Sequence, residues 1–74
     1  MTTEIEELMQ AGIAAHQSGD LEFASRVYLQ VLETEPGNAD AHHNLGVVLS
    51  AYGDYEAANT AFNGAVKSNP AVPQ

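Results

Sequence analysis

Apolar residues recur along the chain at intervals of three and four, broken wherever glycine or proline meets a short polar residue. The clearest run is Phe23, Ala24, Val27, Tyr28, Val31 and Leu32, the spacing of one helical face. Upstream, Leu8, Ala11 and Ala15 share a face with Gly12 beside them. Thr3 is placed to cap that helix, and Glu6, three residues on, completes a capping box. Ser18-Gly19-Asp20 stops it and starts the next, with glycine for the left-handed exit and Asp20 as the new cap. Glu22 falls in the first turn, where the helix dipole favours a carboxylate. Pro36-Gly37 ends the second helix. Asn38 is the expected cap of a third helix over roughly 39–52, and Gly53-Asp54 forms the next turn. A fourth helix is predicted from about 55 to 68, ending before Pro70, with 71–74 as a tail or linker stump. It is the weakest helix, because Asn59, Thr60, Asn63 and Gly64 are poor helix formers, the glycine costing ~1 kcal/mol relative to alanine.

The pattern repeats without a gap at an offset of 34 residues, as from Gly12 to Gly46. Gly19 falls on Gly53, Asp20 on Asp54, Glu22 on Glu56, Ala24 on Ala58, Tyr28 on Phe62 and Pro36 on Pro70. The expected organisation is all-α: one domain over 1–74, built of two tandem helix–turn–helix hairpins, repeat one at about 5–38 and repeat two at about 39–70. Gly12 and Gly46 lie inside helices, where glycine is a penalty. Close approach of the paired helix at Ala24 and Ala58 is the expected compensation.

These residues resemble the tetratricopeptide repeat, a 34-residue helical hairpin with a large residue, a leucine-glycine pair, an aromatic, a small residue, a second aromatic and a proline at fixed positions. The second unit fits as His42, Leu45-Gly46, Leu49, Ala58, Phe62 and Pro70. The first fits as Leu8, Ala11-Gly12, Ala15, Ala24, Tyr28 and Pro36. Leu8 and His42 replace the usual tryptophan, and Ala15 and Leu49 the usual tyrosine. The resemblance covers residues 5–70 and implies a fragment of a right-handed α–α superhelix.

Such hairpins bury their apolar surface mainly on their neighbours, and about three repeats or a cap are usual. With two, the outer face of the second hairpin is expected to expose Val48, Tyr52, Tyr55, Phe62 and Val66 as a self-association face. The expectation is a homo-oligomer or a piece of a longer chain.

Charge narrows the partners. Ten acidic residues against two basic ones give −8 with neutral histidines. Phosphate binding needs clustered cations, so nucleic acid and anionic membrane are not expected partners. No apolar run approaches the ~18 residues of a membrane span, and no signal-peptide pattern opens the chain; a cytoplasmic location is expected. Cysteine is absent, so no disulfide or thiolate metal site can form. His42 and His43 are adjacent and about 100° apart on a helix, and with His16 they are read as packing or surface residues; no metal and no cofactor are expected. No serine sits in a Gly-x-Ser-x-Gly setting, and the acidic pairs Glu4/Glu7 and Glu33/Glu35 read as solvated charge, so no catalytic residue is assigned and the chain is not expected to be an enzyme.

The resemblance implies a concave groove lined by the first helix of each repeat. Carried over by alignment, repeat one supplies Glu6, Met9, Gln10, Ile13, His16 and Gln17, and repeat two Asp40, His43, Asn44, Val47 and Ser50. Asn44 matches an asparagine that holds a peptide backbone or terminal carboxylate in the family. The basic residues of the chaperone-tail clamp are missing, since Arg26 and Lys67 both fall on second helices. The leading expectation is a non-catalytic protein-interaction scaffold for a neutral to basic peptide or protein segment, self-association being a further use of the open face. The alternative is an N-terminal repeat segment of a larger glycosyltransferase-, methyltransferase- or sulfotransferase-like enzyme, serving dimerisation or substrate presentation. A third reading, mimicry of nucleic acid, draws only on the charge.

Overall fold

A computed structural model describes residues 3–68. Four helices follow one another: α1 Glu4–Gln17, α2 Leu21–Thr34, α3 Ala39–Tyr52 and α4 Tyr55–Ser68. Each begins where a short polar side chain can satisfy a free backbone N–H. The Thr3 hydroxyl accepts from Glu6 N–H at 3.1 Å, and the Glu6 carboxylate accepts from Thr3 N–H at 2.9 Å. Asp20 accepts from Phe23 N–H at 3.2 Å, Asn38 from Ala41 N–H at 2.9 Å, and Asp54 from Ala57 N–H at 3.2 Å. The exits of α1 and α3 use the turn glycines, with φ of +88° at Gly19 and +89° at Gly53. Pro70 and residues 71–74 lie outside the described residues, as do Met1 and Thr2.

The helices stack in chain order. α1 packs on α2, α2 on α3, and α3 on α4, while α1 only brushes α3 across the stack. Short turns between antiparallel neighbours make α1 and α3 run in the same sense, one repeat apart. The core runs along the middle of the stack: Ala15, Ala24, Tyr28, Leu45, Val48 and Ala61, flanked by Met9, Leu21, Leu32 and Leu49. Val31 and Ala41 are also fully buried. No side-chain nitrogen or oxygen is buried without a partner among the described residues.

Packing explains the mid-helix glycines differently from the sequence expectation. The close partner is the aromatic four residues beyond the small one. A Cβ on Gly12 would fall 2.7 Å from Tyr28 Cε1, and one on Gly46 would fall 2.6 Å from Phe62 Cε1. Ala24 and Ala58 are buried, but they are not the contacts that exclude a side chain there. Gly64, read above as a propensity penalty, makes room in the same way for the ring of His42.

Candidate functional site

A cleft of about 460 Å³ lies between α1 and the N-terminal half of α3. It is lined by Ile5, Glu6, Met9, Gln10, Ile13, Asn38, Asp40 and Asn44. Ile5, Met9 and Ile13 are spaced by four and form an apolar strip along α1. Ile13 remains 43% exposed, so part of this strip faces solvent unpaired. The acids and amides stand on both walls.

Six of the eleven residues placed in the groove from sequence meet here: Glu6, Met9, Gln10, Ile13, Asp40 and Asn44. His16, Gln17, His43, Val47 and Ser50 do not line the cleft. His43 tilts instead onto Phe62 of α4, with ring centroids 5.5 Å apart. His16, Val47 and Ser50 are half-buried elsewhere on α1 and α3. The alignment named a helix face wider than the cleft, and α4 draws His43 to its own side. Two lining residues, Ile5 and Asn38, were missed. The fourfold spacing of Ile5 to Met9 and Ile13 carried the signal for the first. Asn38 had been assigned only its capping role, which its carbonyl oxygen indeed fills while its amide nitrogen donates to Glu35 at 3.0 Å.

The polar lining is held in place. Glu6 is fixed by the capping box, and the hydrogen bond from the Thr3 backbone, then that from the Thr3 hydroxyl, keep its carboxyl below the ordinary 4.5. It is therefore a carboxylate at neutral pH. Asn44 lies beside the Tyr28 hydroxyl. Burial raises the Tyr28 hydroxyl above its ordinary 10.0, and the Asn44 side chain beside it pulls in the opposite direction. The same Tyr28 ring fills the space over Gly12, so α1, α2 and α3 are locked together just behind the cleft.

His42 is structural. Its Nε2 lies 2.9 Å from the Pro36 carbonyl, which can only accept, so the proton sits on Nε2. The opposite edge of the ring faces Gly64. No three His, Cys, Asp or Glu side chains converge as metal ligands among the described residues.

The proposed self-association face needs correction. Val48 is fully buried in the core, and Phe62 is half-buried against Gly46 and His43. A helix pattern shows that a residue is apolar without saying what covers it; the core takes Val48, and α3 takes Phe62 of α4. Tyr52, Tyr55 and Val66 do stand out, at 51%, 71% and 67% exposed. They share the outside with exposed Asn59, Thr60 and Asn63, so the outer surface of α4 is mixed rather than apolar.

No helix among the described residues is long and apolar enough to cross a membrane. A tetratricopeptide-repeat family model matches residues 27–58, from the middle of α2 through α3 to the start of α4. Comparison with curated proteins returns no match. The matched segment spans the joint where one hairpin stacks on the next, and with the four-helix stack around it fits a tetratricopeptide-like helical repeat, a scaffold type that generally mediates protein–protein interaction.

Proposed function

We propose that the protein is a non-catalytic interaction module that receives a short peptide segment of a partner protein in the α1–α3 cleft. One observation carries this reading: a cleft of about 460 Å³ joins a partly exposed apolar strip to amides on both walls. Ile5, Met9 and Ile13 can take aliphatic side chains out of water, at roughly 0.8 kcal/mol per buried CH₂. Gln10 and Asn44 each offer a donor and an acceptor to a peptide backbone. The surplus of acid favours neutral to basic segments. A cleft this short gives weak binding, since the ordering of the peptide offsets much of the contact energy.

The test is a titration of the isotope-labelled protein with a mixture of short peptides, followed by amide resonance shifts. Shifts confined to residues around Ile5–Ile13 and Asn38–Asn44 are expected. Shifts elsewhere, or none, would refute the reading.

Tyr52, Tyr55 and Val66 support a narrower second role in self-association. Light scattering across a wide concentration range checks it, and a mass that stays monomeric refutes it.

A further inference from the structure

The repeat offset places equivalent residues opposite each other in the cleft. Glu6 and Asp40 are equivalent, and so are Gln10 and Asn44. Each wall thus carries a carboxylate, and one helical turn further along, about 6 Å away, an amide. The strip of Ile5, Met9 and Ile13 runs beside both rungs. Among the described residues, no lysine, arginine or histidine lines the cleft. Arg26 is tied to Glu22 at 2.9 Å on α2, and Lys67 stands in the last turn of α4, which does not pack on α1. The charge of the two carboxylates is therefore left without a neutralising cation from the lining or from these two residues.

Resting on the cleft being the binding surface, we infer that it selects a segment of a partner protein carrying a lysine or arginine beside an aliphatic residue. The cation lies between Glu6 and Asp40, the backbone is held by Gln10 and Asn44, and the aliphatic side chain lies on Met9 and Ile13. The amides are indifferent to charge, so they give affinity without sign. The carboxylate pair supplies the discrimination. A segment with an acidic residue at the same place is rejected by like-charge repulsion.

The probe is a short acetylated and amidated peptide with one lysine and two leucines in a glycine-serine frame, so that the lysine is its single charge. Its twin has glutamine for lysine. Both are titrated into the full chain and into two variants of equal charge. Glu6→Gln with Asp40→Asn removes both carboxylates, and glutamine at position 6 keeps an acceptor for the capping box. Glu33→Gln with Glu56→Gln removes two exposed acids elsewhere. Circular dichroism confirms that each variant is helical, and a cleft variant that unfolds is replaced by the single Asp40→Asn change.

The lysine peptide is expected to bind about five- to tenfold tighter than its twin. That advantage should vanish in the cleft variant, survive in the control, and shrink as salt rises from about 0.02 to about 0.5 M. Equal binding of both peptides at the cleft would overturn the charge selection while leaving the proposed function standing. Absence of any shift in the cleft would overturn both. An advantage lost equally in both variants would show a general field of the acidic surface and overturn the paired site. Spermidine displacing the lysine peptide and binding more tightly would assign the site to a free polyamine and overturn the protein partner.

Discussion

The ring of His42 occupies the space that a side chain on Gly64 would need: a Cβ there would fall 2.7 Å from Nδ1 and 3.0 Å from Cε1. The other end of the ring is held by the Pro36 carbonyl, so His42 spans from the inter-hairpin loop to the last helix. Gly64→Ala should therefore fail to deliver the ~1 kcal/mol that alanine normally adds in a helix interior. The ring must swing away and release Pro36, or α4 must lift. With His42→Ala as background, the same change should recover that ~1 kcal/mol. Urea unfolding of the four proteins in this cycle gives the coupling directly, and an additive result would remove His42 as the reason for the glycine.

Two further glycines separate by what faces them. Gly12 meets Tyr28, which is 1% exposed and has no room to yield. Gly46 meets Phe62, which is half-buried and can rotate toward solvent. Gly12→Ala should destabilise by about 1–3 kcal/mol through overpacking. Gly46→Ala should cost clearly less, because the displaced ring has an outlet. Thermal or urea midpoints of the two variants decide it, and a larger loss at Gly46 would show that the ring, not its burial, sets the cost.

The caps Thr3, Asp20 and Asn38 and the helix bounds 39–52 and 55–68 follow from local chemistry, and the structure agrees with them. Capping is a contact between residues three apart, so sequence neighbours suffice to find it. The partners of Gly12, Gly46 and Gly64 lie 16, 16 and 22 positions away, and spacing alone named the alanine when the aromatic one turn further was the true contact. Val48 was misplaced for a related reason: both faces of a middle helix are apolar, and only the stack shows which is covered. The cleft was legible as a helix face but not in width, since the tilt of His43 toward Phe62 depends on α4.

Tyr28 predicts an alkaline limit. Burial raises its folded-state value above the ordinary 10.0, so the unfolded chain releases the phenolic proton first as pH rises. Stability is then fully present below about pH 10 and falls above it, until the folded hydroxyl ionises as well. Tyr28→Phe keeps the ring over Gly12 and removes this titration. It also takes away the hydroxyl that interacts with the Asn44 side chain, so its stability at neutral pH should drop modestly, by about 1 kcal/mol. Urea midpoints on both sides of pH 10 should fall more steeply for the native chain than for the phenylalanine variant. Parallel profiles would contradict a buried hydroxyl.

The capping box predicts the opposite limit and couples it to the cleft. Hydrogen bonds from Thr3 hold the Glu6 carboxyl below 4.5, so the folded state favours the ionised form. The corresponding stability is present above pH 4.5 and is lost as pH falls through the folded-state value, because the unfolded chain binds the proton first. Thr3→Ala removes one acceptor and should cost about 1 kcal/mol of α1 stability at neutral pH. It also releases Glu6, which lines the cleft. Amide exchange in the first turn of α1 should quicken in this variant, and the stability profile below pH 4.5 should flatten. Binding of the lysine peptide should weaken in parallel, because a mobile carboxylate must be ordered again in the complex. If the first turn frays while binding is unchanged, Glu6 acts only as a cap, and Asp40 alone carries the charge in the cleft.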